Sequence, residues 1–222
     1  MPNWCATNYL LRGPKDKIQD FCDKVNSCID QPDVQPNNFG KFWLGNIYAA
    51  FENRTDNMDT VHGLRGCLDP EPDSVACLFG PYENVQKLIP TIDTSAKEKE
   101  WMRIAFSTQT AWDMSDWFND MLEEKYPEIE VSFKATDEFG NFHVCHNPER
   151  LGIRRFEIWH HDHTEYNLDT AEETADLIRN ITGLNFTKED IEKESAEFRH
   201  QIDKYNENHE GEELEITIWK TI

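Results

Sequence analysis

The apolar residues of this chain fall into short segments that carry two different periods. From Trp4 to Arg12 the pattern alternates, Thr7, Tyr9 and Leu11 against Ala6, Asn8 and Leu10, until Gly13-Pro14 ends it; that predicts a strand. From Lys15 to Ile29, the residues Ile18, Phe21, Cys22, Val25, Cys28 and Ile29 recur at the spacing of one buried helix face. Pro14 is placed to start that helix. A chain that changes from period two to period 3.6 at its first turn builds a sheet with helices laid on it.

The same two periods recur downstream. Gln31 to Asn38 reads as a linker, and Trp43, Leu44, Ile47, Tyr48 and Phe51 as a short second helix. Residues 56–81 look irregular, and 83–90 suggest a helical turn. Strands are predicted at 101–108, 128–136, 142–146, 154–160 and 214–222. Helices are predicted from Met114, through Trp117, Phe118, Met121 and Leu122, to a stop at Tyr126-Pro127, at 170–182 with Gly183 as its stop, and from the Thr187 N-cap to about Tyr205. The expected class is α+β: a ferredoxin-like antiparallel sheet with helices packed on one face, plus C-terminal helices and a closing strand. Two regions are expected, a core over 1–146 with an irregular insertion around 54–100, and a strand-helix-helix-strand extension over 147–222 packed on that core.

Charge narrows the partners. The chain has 222 residues, 43 acidic and 22 basic, for a net charge of −21. Such a surface repels phosphate backbones and anionic membranes, so direct nucleic-acid or membrane binding is not expected. It suits solubility, or a basic protein surface, or mimicry of nucleic acid by ordered carboxylates. Disorder is not expected, because aromatics make up 12% of the chain and sit in the periodic segments. No leader pattern and no apolar run of spanning length are seen. The six cysteines form no C-x-x-C pair, which fits a reducing cytoplasm and mostly buried free thiols.

Several of these pieces form a recognisable series. MPNWCATN, the strand and Gly13-Pro14 come first, followed by Trp43-Leu44-Gly45-Asn46, Arg65-Gly66, FSTQTAW at 106–112 and EKYP at 124–127. In order and spacing this resembles the ferredoxin-like-domain proteins of the YubB or Api92 type found in phages, plasmids and other mobile elements. The likeness covers most of residues 1–145. It departs at Asp113-Met114-Ser115 after the Ala-Trp, and at Phe139-Gly140, where the family often has small residues with Pro and a Pro-Gly turn. The resemblance implies a ferredoxin-like core and an accessory protein acting in the cytoplasm of a bacterial host. It implies no particular chemistry.

Two groups of residues are candidates for a site. Trp43, Gly45, Asn46, Arg65, Gly66, Thr110 and Trp112 could line a pocket, with Trp as a stacking face and Arg as a fork for an anion such as a small nucleotide. His143, Cys145, His161 and His163 could meet around zinc if their two strands pair. Phosphate-loop, dinucleotide, nucleophile-elbow and H-E-x-x-H motifs are absent. The expectation is therefore a non-enzymatic, cofactor-free accessory protein that binds a host protein with a basic surface through its acidic face, as an anti-defence inhibitor or nucleic-acid mimic. The alternatives are a small-nucleotide sponge using the Trp/Arg pocket and a metal-dependent enzyme using the His/Cys group.

Overall fold

The computed structural model describes residues 3–53, 63–70, 86–96, 100–139, 143–160, 164–211 and 213–222. The chain divides into two compact units, Met1–Asn147 and Pro148–Ile222.

The first unit is organised on β1 (Trp4–Pro14), whose odd residues Cys5, Thr7, Tyr9 and Leu11 are buried. On one side β1 pairs antiparallel with β4 (Trp101–Ala111), from Trp4↔Ala111 to Pro14↔Trp101. On the other it pairs antiparallel with β5 (Glu130–Asp137), from Cys5↔Asp137 to Arg12↔Glu130. Beyond β4 lies β2 (Gly66–Asp69), and beyond β5 lies β6 (His143–His146). A two-residue strand, β3 (Thr91–Ile92), pairs with the start of β4. The order across the sheet is β6-β5-β1-β4-β2.

Three helices cover one face. In α1 (Lys15–Asp30) the buried residues are Ile18, Phe21, Cys22, Val25 and Cys28. The second, α2 (Leu44–Glu52), starts at Trp43 and stops at Asn53 in the left-handed conformation, φ 54°. The third, α3 (Asp116–Lys125), is capped by Ser115, whose hydroxyl accepts from Phe118 N. Tyr9 sits at the centre of the core. Its ring lies 5.1 Å from Phe106, 5.3 Å from Phe118 and 5.5 Å from Phe133. Its hydroxyl donates to Asn119 Oδ1 at 2.7 Å. A buried phenol needs such an acceptor, and burial pushes its pKa up. Residues 106–111 of β4 are buried throughout, so both faces of that strand are covered and alternation is lost.

In the second unit, α4 (Pro148–Leu151) leads into β7 (Phe156–His160) and β8 (Thr164–Leu168). Then come α5 (Ala171–Thr182), α6 (Lys188–Glu192), α7 (Ala196–Asn208), β9 (Leu214–Ile218) and β10 (Lys220–Thr221). A three-stranded antiparallel sheet has the order β8-β7-β9. Phe156, Ile158, Leu214 and Ile218 turn one face of it toward Ala175 and Ile178 of α5, Ile191 of α6, and Phe198 and Ile202 of α7.

Several expected boundaries are corrected. The single helix expected from Thr187 to Tyr205 is two helices, broken where Glu194 takes φ 46° and Ser195 caps α7 by accepting from Phe198 N at 3.1 Å. Ile191, Phe198, Ile202 and Tyr205 keep a helical spacing across the break, so periodicity hides it. The strand expected at 214–222 is interrupted at buried Trp219. A strand, β2, lies within the stretch expected to be irregular, and β8 was not expected at all. Residues 86–90 carry no helix, and 83–85 lie outside the described residues. Cys5, Cys22, Cys28 and Cys145 are buried and outside any disulfide, as expected, but Cys67 is disulfide-bonded. No helix among the described residues is long and apolar enough to cross a membrane.

Candidate functional site

The scattered residues of the Trp/Arg group converge at one end of the first unit's sheet. Trp43 forms a bridge with Cys67, Gly66 pairs with Thr110, and the Ala111 amide donates to the Arg65 carbonyl at 3.0 Å. The strand ladder therefore collects residues 43–46, 65–66 and 110–112.

Most of them are committed to structure. The Trp43 indole is buried, and its Nε1 donates to the Leu64 carbonyl at 2.8 Å. The ring lies over Gly45, where any Cβ would collide with it. Asn46 uses both ends of its amide. Its Oδ1 accepts from Val34 N at 3.1 Å, and its Nδ2 donates to Asp33 Oδ1 and the Lys41 carbonyl, both at 3.1 Å. That pins the 31–41 linker onto α2. Gly66 lets β2 close on β4, since a Cβ there would strike the Gln109 carbonyl. Thr110 is buried and donates to the Asp113 carbonyl at 2.5 Å.

Arg65 and Trp112 remain exposed. Trp112 is 61% exposed and adopts φ 81°, an uncommon backbone for a bulky side chain. Its amide is held by the Asn3 carbonyl at 2.6 Å. The clefts described lie elsewhere. One of about 430 Å³ is lined by Gln19, Asp23, Asn26 and Leu88, and one of about 510 Å³ by Pro14, Lys15, Asp16 and Trp101.

The His/Cys group is placed in part. His143 and Cys145 lie on β6 opposite Thr136 and Lys134 of β5. Cys145 is buried, and the His146 ring stacks on Phe133 at 5.6 Å. The zinc expectation needed the strand at 143–146 to pair with that at 154–160, but β7 has β8 on one side and β9 on the other. His161 and His163 lie outside the described residues. Among the described residues, no group of three or more His, Cys, Asp or Glu could hold a metal ion.

Sequence reasoning missed a buried polar centre. Arg12 is held between Asp93, Ser95 and Glu130, at 2.6, 3.1 and 3.2 Å. Burial works against the Asp93 charge, but donors from Ser95 and Arg12 prevail and bring its pKa down to about 2. An Arg in an alternating strand carries no signal of burial, and its partner is far away in sequence.

The electrostatics of the second unit are uneven. Residues 148–222 contain nineteen carboxylates and nine Lys or Arg. Six of those cations already serve internal ion pairs: Arg154–Asp169, Arg155–Glu192, Arg179–Asp176, Lys188–Glu172, Lys193–Glu189 and Arg199–Glu194. These exposed pairs add little stability, but they leave the net field of this unit negative. Comparison with protein-family models, with curated proteins and with solved structures finds nothing that matches this chain.

Proposed function

We propose that this chain is a non-enzymatic binding protein whose acidic surface engages a partner protein with a basic surface. One observation carries the reading. The second unit holds about half of the chain's excess negative charge in about a third of its length, and most of its cations are paired internally. A field of that sign attracts and orients a basic partner and raises its association rate.

The Trp/Arg group gives a nucleotide pocket less support, because Trp43, Asn46 and Thr110 spend their polar atoms inside the fold. The setting we propose follows the resemblance carried by most of residues 1–145: an accessory protein of a phage or other mobile element, acting in the bacterial cytoplasm on a host protein without a cofactor. We read the first unit as a ferredoxin-like core. The order β5-β1-β4-β2, with α1 following β1 and α3 joining β4 to β5, supports that reading.

The test is affinity capture from bacterial lysate with the full chain at low and high salt. One basic protein, retained at low salt and released at high salt, is the expected result. A copurifying nucleotide or stoichiometric zinc without a protein partner would replace this reading with one of the alternatives.

A further inference from the structure

The helices of the second unit cover one face of its three-stranded sheet. The other face is set by register. Trp159 of β7 stands opposite Glu165 of β8 and opposite Glu215 of β9. One row across the sheet therefore reads Glu165–Trp159–Glu215. The next row on the same face reads Asn167–Glu157–Thr217. Glu165 and Glu215 are exposed, and Trp159 is 39% exposed. Asn167 Nδ2 donates to Glu165 Oε1 at 2.8 Å, so this carboxylate is steadied beside the indole. The arginines just before β7 are engaged elsewhere, Arg154 with Asp169 and Arg155 with Glu192.

An exposed indole between two carboxylates is poorly matched to water alone. The indole face attracts a cation electrostatically. The aliphatic stem of a Lys or Arg can lie along the ring while its charged head meets the carboxylates. Adjacent strands are about 4.8 Å apart, so the row is about 10 Å wide, the width of one such side chain with its two acceptors. A nonpolar peptide would have to desolvate both carboxylates, and an anionic one would be repelled.

We infer that this sheet face is the docking surface for a lysine- or arginine-rich segment of a protein partner, with Trp159 stacking on one cationic side chain and Glu165 and Glu215 flanking it. The inference rests on the proposed acidic-surface function and locates it.

The experiment is calorimetric titration of the full-length chain with a hexa-arginine peptide at low salt. It compares wild type, Trp159→Leu, Trp159→Phe, the double variant Glu165→Gln/Glu215→Gln, and the double variant Glu207→Gln/Glu210→Gln. The last removes the same charge from exposed residues off this face. Trp159→Leu is expected to weaken binding at least about threefold and Trp159→Phe to recover part of the loss, as a cation–π contact requires. Glu165→Gln/Glu215→Gln should weaken binding several times more than Glu207→Gln/Glu210→Gln. Equal losses in the two charge variants with a silent Trp159→Leu would overturn this surface and leave the general acidic-surface reading standing. Absence of peptide binding by wild type would overturn this surface, while the lysate capture would still decide the broader reading. Circular dichroism of each variant separates lost binding from lost folding.

Discussion

Arg12 Nε donates to Asp93 Oδ2 at 2.6 Å, with the two side chains only 8% and 0% exposed. The same carboxylate accepts from the Ser95 amide at 2.9 Å and the Ser95 hydroxyl at 2.6 Å. This cluster ties the middle strand of the sheet to the segment just after β3. Asp93→Asn leaves the buried Arg12 charge to the Glu130 carboxylate at 3.2 Å and the Ser95 hydroxyl at 3.1 Å. It should therefore destabilise the protein by about 3 kcal/mol in urea unfolding, the low end for breaking a buried pair.

The pair also sets an acid limit. The folded Asp93 pKa, about 2, lies below the ordinary unfolded carboxylate value of about 3.9. Its contribution is thus complete above about pH 4 and lost as the pH falls through about 2. The stability difference between wild type and Asp93→Asn should be flat from pH 5 to 7 and shrink below pH 4. A difference that stays constant down to pH 2.5 would contradict the depressed value.

Gly66 tests the corner where the Trp/Arg group meets. A methyl there would strike the Gln109 carbonyl, which is backbone and cannot swing aside. Gly66→Ala should cost roughly 1–3 kcal/mol, the range for overpacking a closed site. It should also raise amide exchange in β2 selectively. Unchanged protection of the Cys67 amide, opposite Gln109 in the ladder, would show that β2 does not depend on this close approach.

The capping box at Thr187 should be measurable in the second unit. Its hydroxyl accepts from Asp190 N at 3.2 Å, and the Thr187 amide donates to Asp190 Oδ2 at 3.0 Å. Thr187→Ala should lower stability by about 1 kcal/mol. Glu194→Gly, at φ 46°, should offset part of that loss by relieving a left-handed backbone. Additivity of the two in thermal unfolding checks both local arguments together.

The cysteines predict a chemical silence. Burial raises Cys22 to about 12, and raises Cys5 and Cys28 to about 11. A thiol must lose its proton to attack a disulfide reagent. At pH 8 the native protein should leave these three unlabelled for hours and expose them only on unfolding. Rapid labelling of Cys22 in native buffer would show that α1 opens far more readily than its packing implies.

The local signals were legible where one face was buried and the other open. The alternation of β1 and the apolar stripe of α1 both appear in the sequence and in the fold. They failed where both faces are buried, as in β4 from Phe106 onward, or where two short helices share one stripe, as around Glu194. The Trp/Arg residues were legible as a group, and the ladder gathers them, but their roles were not. Only in the fold is the Trp43 indole seen to be spent on Leu64 and Asn46 to hold a linker. The Trp159 row was invisible for a different reason. Glu165 and Glu215 belong to strands on either side of β7, and one of those strands left no recognisable period.

The place of β1 has a consequence for how the molecule is made. This strand leaves the ribosome before α1, yet its partners β4 and β5 begin only at Trp101 and Glu130. Its hydrogen-bonding edges must wait, unpaired, through the synthesis of most of the first unit. Contacts of such sequence separation are slow to form, and waiting strand edges invite association with other chains. The Asn8 and Arg12 side chains on β1 place polar groups along that waiting strand. The second unit, with β7, β8 and β9 all inside its own 75 residues, closes over a shorter stretch of chain. Production yield should therefore follow the rate of translation through residues 14–137 more closely than the final stability of the folded protein.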